Sequence, residues 1–402
     1  MQRVIVQSIK KNNSWSFGWL SFFWFHRAKL TWFHGSSQDI NFSTYTGSDE
    51  IKTTAWTSYF SRLPTQELAL GYRPRIAERP YLPGSTSGDF LNFFLDLKRV
   101  KKPEEFDIKG WSRVCRELVD AELPVYGAIL VRNLPLCNME DFKTFLQNLG
   151  YKFFEHGVTG YRTPLGEHVY TASDDPPQVT MEPHNECSYS PFFPKKVIMF
   201  CVKEPDSFCG GETVLLKNQD LTTILDPEVT RKFEEKKIRY QAFLPNKNTE
   251  AGLQKTWQDR FWVDDPQAVE NTLESNGWSF SWDKDKNLRF WYLHSPVIPH
   301  PVTGEKMWFN QLTCYHASYY RALPLFENTS IPDDQFPFHS YYGDGSAIEP
   351  AVLQHIRAAM WSCAMGFRWR TFDVAILDNK QVLHGRMGWS GERKLVTSLI
   401  DE

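Results

Sequence analysis

Two short stretches that lie far apart in the chain carry side chains that could together bind a metal ion. Residues 181–187 contain His184 and Glu186, and residues 378–386 contain His384. Side chains two residues apart on a strand, or on its frayed end, project to the same side, so His184 and Glu186 can face one ion. Two imidazoles and one carboxylate form the set that suits Fe(II) and leaves coordination positions open.

Neither stretch is specific by itself, because a His two residues before an acid is common and a lone His is usually structural. Four further features occur in a fixed order around them, which makes chance a poor explanation. They are the turn Gly210-Gly211-Glu212-Thr213, the pair Asp378-Asn379 before His384, the pair Gly385-Arg386 after it, and Arg393 at the start of an apolar, strand-like segment, 394–400.

With these motifs in this order, the chain resembles the Fe(II)/2-oxoglutarate-dependent dioxygenases of the taurine dioxygenase (TauD/TfdA) and clavaminate synthase-like family. The resemblance runs from about residue 90 to residue 402. It implies a mainly β fold with flanking helices around a double-stranded β-helix, that is, a jelly-roll or cupin-like core.

The resemblance also implies a role for five residues. His184, Glu186 and His384 would be the catalytic metal ligands that hold Fe(II), and O₂ would react at the open positions. Arg393 would anchor the far carboxylate of the co-substrate 2-oxoglutarate, since a guanidinium can form two parallel hydrogen bonds to a carboxylate. Thr213 would donate its hydroxyl to the same carboxylate.

Two positions bear on the branch of the family and on the substrate. Glu186 stands where the taurine branch more often has Asp, and the clavaminate synthase-like branch also uses Glu. Thr397 stands where the taurine branch has a second Arg, so taurine is not the expected substrate. Arg386 could form a structural ion pair or contact substrate. The polar side chains expected to reach the substrate pocket are Arg162, Asn185, Asn310, Gln311 and Arg386.

The implied reaction is oxidation of an unactivated C–H bond of a small, amino-acid-like or carboxylate-bearing metabolite, with release of succinate and CO₂. Hydroxylation and oxidative cyclisation, including a role in secondary metabolism, both fit. One alternative is a jumonji-like protein or peptide hydroxylase, which shares the metal-binding face. Another is a non-catalytic, cupin-like binding protein.

Composition bounds the partners and the compartment. The formal net charge of −3, from 45 Lys and Arg against 48 Asp and Glu, gives no support to a nucleic-acid partner. The 7 cysteines form no C-x-x-C pair, which indicates a reducing compartment rather than a disulfide framework. Cys187 is not counted as a ligand, because neighbours on a strand face opposite ways.

Three segments are expected along the chain. Residues 1–38 lack acids and could be a targeting segment, a disordered start or a packed part of the fold. Their apolar run is too short for a stable membrane span, which needs roughly 20 residues. Residues 39–88 suggest an extended arm or linker, and 89–402 the dioxygenase domain, with a long insertion of helix and polar, charged loops at about 217–370. An intracellular location is expected, in a plastid or mitochondrion if the first segment is a transit peptide.

Periodicity places the motifs on secondary structure. Predicted helices cover 90–100, 107–121, 139–149, 220–236 and 350–363, and predicted strands cover 128–131, 169–171, 197–202, 213–216, 373–377 and 394–400.

Overall fold

The computed structural model describes residues 94–96, 107–155, 162–206, 210–249, 255–301, 303–323, 326 and 329–402. The targeting segment predicted at 1–38 and the arm predicted at 39–88 lie outside these residues, so both interpretations stay predictions.

The described chain consists of strands and shorter helices, named here in chain order. The strands are β1 (Phe94–Asp96), β2 (Ala128–Arg132), β3 (Pro164–Gly166), β4 (Val169–Thr171), β5 (Met181–His184), β6 (Lys196–Lys203), β7 (Thr213–Lys217), β8 (Ile238–Leu244), β9 (Ser279–Trp282), β10 (Leu288–His294), β11 (Val297–Pro299), β12 (Lys306–Trp308), β13 (Phe338–Tyr342), β14 (Met365–Phe367), β15 (Val374–Asp378), β16 (Val382–Arg386) and β17 (Lys394–Ile400). The helices are α1 (Ile108–Tyr126), α2 (Met139–Leu149), α3 (Asn218–Ile224), α4 (Pro227–Lys236), α5 (Trp257–Phe261), α6 (Pro266–Ser275), α7 (Ala317–Arg321) and α8 (Pro350–Ser362), with a 3₁₀ turn at Asp333–Gln335.

Two sheets form the body that carries the predicted motifs. The larger has the strand order β1-β2-β15-β6-β17-β4-β3, and the smaller has the order β14-β7-β16-β5. Their facing sides share one hydrophobic core, in which Val197 and Met199 of β6 lie with Leu215 of β7 and Val382 of β16. This arrangement confirms the predicted fold class, a double-stranded β-helix with flanking helices.

Alternation along the strands buries both sides of each sheet. On β6, Val197 and Met199 point into the shared core, and the next residue, Phe200, points outward. The ring of Phe200 stacks on Phe142 of α2 with the ring centroids 4.6 Å apart. The large sheet is therefore packed on one side against the small sheet and on the other against helices.

The predicted strands and the helix at 139–149 are confirmed, but the helix at 90–100 is wrong for the residues described. Phe94–Asp96 form the edge strand β1, which pairs in parallel with β2. Apolar spacing over so short a segment does not separate a helix from an edge strand. Pairing with a strand that is close only in the folded chain decides between them.

Two other helix boundaries differ from prediction, and both differences involve a proline. Helix α1 continues through Pro124 to Tyr126, because a proline in the last turn removes only one hydrogen bond near the helix end. The helix predicted at 220–236 is two helices, since Pro227 begins a new one and the Asp226 side chain accepts from the Glu228 N–H at 2.9 Å.

The segment between β7 and β14 contains a sheet that the prediction of polar, charged loops did not include. Its strands have the order β13-β8-β10-β9, and it encloses a core of its own that includes Trp257 and Phe290. Trp308 and Tyr240 from this segment pack in one cluster with Val214 of β7 and Leu383 of β16. The segment thus covers the outer side of the small sheet.

A buried ion pair ties this segment to the small sheet. The Nε of Arg357 on α8 lies 2.7 Å from a carboxylate oxygen of Glu182 on β5, and the side chains are 2% and 0% exposed. Arg357 also donates to the backbone carbonyl of Thr313 at 3.2 Å. Two charges buried this deeply stabilise each other, and removal of one leaves the other buried without compensation.

None of the helices in the described part of the chain is both long and apolar enough to cross a bilayer.

Replacing Arg357 by Ala is expected to lower the free energy of unfolding by about 3–5 kcal/mol, because it leaves the Glu182 carboxylate buried without its partner. Urea unfolding followed by circular dichroism measures the change. The matched control is Arg231→Ala on α4, whose partners Glu228 and Glu235 are exposed. Equal shifts of the two unfolding midpoints would contradict the structural role given to Arg357.

Candidate metal centre and active site

The antiparallel pairing of β5 with β16 places His184 directly opposite His384. Their ring centroids are 4.6 Å apart, and both residues are buried. Gly385 allows this close approach, since a Cβ at that position would lie 2.7 Å from the Met181 carbonyl oxygen. The glycine that follows His384 in the predicted motif is therefore required sterically, because β5 passes so close to it beside the metal site.

Glu186 lies two residues beyond the end of β5, where the backbone leaves the sheet. Asn379 clamps this point from both sides: its Oδ1 accepts from the Glu186 N–H at 2.7 Å, and its Nδ2 donates to the Glu186 carbonyl at 2.9 Å. Glu186 Oε2 lies 3.5 Å from His384 Nε2 and 3.9 Å from His184 Nε2. One ligand atom from each of these residues lies within 4.8 Å of the other two.

The protonation states suit a metal ligand set. Burial, followed by the nearby His384, lowers the pKa of His184 to about 4, so its imidazole is neutral at neutral pH. His184 Nδ1 lies 2.9 Å from the Glu182 carbonyl oxygen, which accepts the Nδ1 proton and leaves the Nε2 lone pair for a metal. Burial alone would raise the pKa of Glu186, but Arg162 and the imidazoles outweigh it and hold the pKa below its usual value.

Two neighbours of Glu186 differ from the sequence expectation. Cys187 does not lie on a strand, because β5 has ended and its φ is 56°. Its Sγ lies 3.7 Å from Glu186 Oε1, so the prediction that the two side chains face opposite ways is wrong. Cys187 is nevertheless not part of the ligand cluster. Asn185 points away from the cavity into a buried network with Asn218 and the Asn379 carbonyl.

A cavity joins the histidines to most of the other predicted site residues. Its lining includes Arg162, His184, Thr213, His384, Arg386 and Arg393. Asn185, Asn310 and Gln311 are not among the lining residues. Asn310 instead closes its own loop, donating to the Pro296 carbonyl at 3.0 Å and accepting from the Leu312 N–H at 3.1 Å.

Arg393 and Thr213 offer hydrogen-bond donors to this cavity. Arg393 Nε donates to the Gly211 carbonyl at 3.0 Å, and no acceptor for its two terminal nitrogens occurs among the described residues. Burial, followed by the charge of Arg386, lowers the pKa of Arg393 to about 9. Thr213 Oγ1 accepts a hydrogen bond from the Trp369 indole at 2.8 Å, which leaves its own proton free to donate. A partly buried guanidinium and a hydroxyl proton thus face the same space.

The other two arginines are held by the protein. Arg162 Nη2 donates to Glu186 Oε2 at 2.6 Å, and its Nη1 donates to the carbonyls of Thr171 and Ala172. Arg386 donates to the backbone carbonyls of Pro176 and Val179, both at 2.9 Å. In the described residues its hydrogen bonds go to carbonyls and not to a carboxylate, so the ion pair considered for Arg386 is not formed.

Three contacts at the site are not evident from sequence. Asn379 belongs to a recognised motif, but its clamp on the Glu186 backbone depends on a contact across 193 positions of the chain. Trp369 and Trp389 carry no distinguishing pattern. The ring of Trp389 lies under Arg386 at 4.5 Å and under Arg393 at 4.8 Å, measured from the guanidinium carbon to the ring centroid.

The types of donor atom in this cluster agree with an Fe(II) site. Two neutral imidazole nitrogens and one ionised carboxylate are the ligands of non-haem Fe(II) oxygenases, and three ligands leave the remaining positions for small molecules. A 2-His-1-carboxylate centre inside a jelly roll therefore defines this class of oxygenase.

Comparison with known proteins places the chain within the class. The model of the family described as "Taurine catabolism dioxygenase TauD, TfdA family" matches residues 95–399, and the chain belongs to this family. It is an enzyme, an oxygenase that uses Fe(II) and 2-oxoglutarate, as predicted.

Two curated proteins and one solved structure illustrate the similarity. The dapdiamide synthesis protein DdaC of Enterobacter agglomerans is 31% identical over 288 residues, which are 70% of this chain and 84% of that protein. A clavaminate synthase-like protein of Arabidopsis thaliana is 24% identical over 290 residues, 71% and 84% of the two chains. The crystal structure of PvcB from Pseudomonas aeruginosa has a TM-score of 0.43 and 15% identity, over 80% of this chain and 90% of that one.

Replacing His384 by Ala is expected to weaken Fe(II) binding by more than about 100-fold, since loss of an outer partner alone typically costs 10–100-fold. Calorimetry without O₂ measures the dissociation constant. His355→Ala is the control, because His355 lies outside the cluster and accepts from the Asp226 N–H. Unchanged Fe(II) affinity in His384→Ala would remove this residue from the ligand set.

Proposed function

We propose that this enzyme oxidises an unactivated C–H bond of a small, amino-acid-like or carboxylate-bearing metabolite while converting 2-oxoglutarate to succinate and CO₂. The observation that carries the proposal is the single cavity lined by His184 and His384 together with Arg393 and Thr213. The residues that would bind the metal and the residues that would bind the far carboxylate of 2-oxoglutarate therefore line one cavity.

His184, Glu186 and His384 would hold the metal, which when bound with 2-oxoglutarate and O₂ supplies the oxidising power for C–H cleavage. The protein's part is to keep these three ligand atoms in place before the metal arrives. Asn379 restrains the Glu186 backbone, and Arg162 restrains its Oε2. Such prior placement avoids reorganisation at the moment of reaction.

Arg393 and Thr213 would bind the far carboxylate of 2-oxoglutarate. The guanidinium of Arg393 is partly removed from water without a carboxylate partner, which is unfavourable, and an anion that accepts from its terminal nitrogens offsets that cost. The stacked Trp389 and the bond from Nε to the Gly211 carbonyl orient the guanidinium toward the cavity. Arg is preferred to Lys at such a site because it binds a carboxylate through two parallel hydrogen bonds.

The charge around the cavity supports an acidic substrate. Arg162, Arg386 and Arg393 line it, and no Asp or Glu of the described residues is among the lining residues. Glu186, one metal dication and the 2-oxoglutarate dianion sum to one negative charge, or to two if Asp175 beside Arg162 and Arg386 is ionised, against three positive charges on the arginines. A carboxylate on the substrate would therefore enter a favourable potential.

Two further observations bear on the substrate. The side chain of Thr397 is buried and donates to the Ile198 carbonyl at 3.1 Å, so it is used within the sheet and not for an anion such as taurine. The relative from Enterobacter agglomerans is a dapdiamide synthesis protein, which supports a biosynthetic role for this enzyme.

Turnover can be tested with the full chain, Fe(II), 2-oxoglutarate and a panel of amino acids and N-acylated amino acids, each paired with its amide. We expect succinate in equal amount to a product that has gained one oxygen or lost two hydrogens, with acids preferred over amides. Succinate is measured by chromatography and the product by mass spectrometry, and His384→Ala should form neither. Turnover of peptides alone would instead favour a protein hydroxylase, and Fe(II) binding without any turnover of 2-oxoglutarate would favour a binding protein.

Gly211→Ala is expected to weaken 2-oxoglutarate binding about 10-fold, the loss of one hydrogen bond to a charged group. The new Cβ would lie 2.8 Å from Arg393 Cδ and would push the guanidinium out of place. Gly304→Ala is the matched control, because Gly304 has a similar φ, +73° against +81°, with nothing within 4 Å of the added atom. Calorimetry on Fe(II)-loaded, O₂-free protein gives the affinities, and equal effects of the two substitutions would contradict the role of Arg393.

A further inference from the structure

The indole of Trp369 makes a single directed contact beside the cavity. Its Nε1–H donates to Thr213 Oγ1 at 2.8 Å, and both residues are 3% exposed. Trp369 follows β14, whose Phe367 pairs with Thr213 of β7. The Phe367 and Trp369 rings contact each other with their centroids 4.7 Å apart. The contact therefore joins two neighbouring strands of the small sheet at the anion side of the cavity.

A threonine hydroxyl has one proton and two lone pairs, whereas an indole N–H can only donate. Once Trp369 occupies a lone pair of Thr213 Oγ1, the hydroxyl proton must point away from the indole. The other polar group on this side, Arg393, is also only a donor and cannot accept that proton. No acceptor for it occurs among the described residues.

We propose that Trp369 is a positioning residue that holds the Thr213 hydroxyl as a hydrogen-bond donor to the far carboxylate of 2-oxoglutarate. The inference rests on the proposed function, because it presumes that this carboxylate binds at Arg393 and Thr213. Trp369 does not itself line the cavity. It acts through Thr213, by settling before binding which way the hydroxyl proton points.

The chain contains a matched control for the indole. Trp361 on α8 is also fully buried, but its Nε1 has no hydrogen-bond partner among the residues that the structure describes. Changing Trp361 to Phe removes the same atoms from a buried site without breaking a hydrogen bond. Comparing the two substitutions separates the lost N–H from the lost ring volume.

Trp369→Phe is expected to raise the dissociation constant of 2-oxoglutarate about 3- to 10-fold, the range for one neutral hydrogen bond. Trp361→Phe should leave that constant unchanged. Calorimetry on Fe(II)-loaded protein without O₂ measures binding, and Fe(II) affinity itself should be the same in both variants. In turnover, Trp369→Phe should raise KM for 2-oxoglutarate and retain kcat once 2-oxoglutarate is saturating.

A double-mutant cycle with Thr213→Val tests whether the indole acts through the hydroxyl. In the Thr213→Val background, Trp369→Phe should cause no further loss of 2-oxoglutarate affinity, since the group it positions is gone. An equal loss in both backgrounds would show a packing effect and overturn the proposal. So would wild-type affinity in the Trp369→Phe single variant.

A second pair of variants keeps Trp369 in place in case Trp369→Phe does not fold. In Thr213→Ser the γ-methyl that restricts the side chain is lost, but the indole can still hold the hydroxyl, so wild-type affinity for 2-oxoglutarate is expected. Thr213→Val should lose affinity. A loss as large in Thr213→Ser as in Thr213→Val would overturn the positioning role. Wild-type protein that binds Fe(II) but not 2-oxoglutarate would contradict the proposed function instead.

Discussion

The pairing of β5 with β16 is the constraint on which the rest of the site depends. It brings together two histidines that lie 200 positions apart in the chain and places them on opposite residues of one antiparallel ladder. The backbones can approach at this point because Gly385 carries no side chain. Glu186 can then reach both imidazoles only because the chain turns out of the sheet directly after His184, where Asn379 holds it.

The site also shows how buried charges are kept in a β core. Glu182 and Arg357 neutralise each other, and Glu186 is held by Arg162. Arg393 is different, because it is partly buried, stacked on an aromatic ring and without a carboxylate partner in the described chain. Desolvation of this guanidinium destabilises the ligand-free protein. An anion that accepts its hydrogen bonds removes that penalty, which favours binding.

The segment between β7 and β14 contributes to the site from a distance. It covers the outer side of the small sheet with aromatic side chains, and through Arg357 it contacts the strand that carries His184. Its contacts with β5, β7 and β16 stabilise the strands that present the histidines and Thr213. An insertion that supports a metal site in this way adds rigidity to a small sheet whose other face is already packed.

The metal face could be predicted from the types and spacing of His184, Glu186 and His384, and the carboxylate anchor Arg393 was implied by the family resemblance that the motifs carry. The jelly roll was likewise implied by that resemblance, and most strands and helix α2 were predicted from periodicity. The segments at 1–38 and 39–88 stay predictions, as do the roles of the individual site residues.

Contacts between distant residues could not be predicted. Edge strand β1, the sheet inside the insertion and the clamp by Asn379 all depend on neighbours that meet only in the folded chain. The turning away of Asn185 and Asn310 has the same origin, because a polar side chain takes whichever partners the fold places beside it. Sequence alone therefore determined which chemistry this protein can perform. Tertiary structure decided which polar groups remain free to face a ligand, because hydrogen bonds made within the fold are no longer available to one.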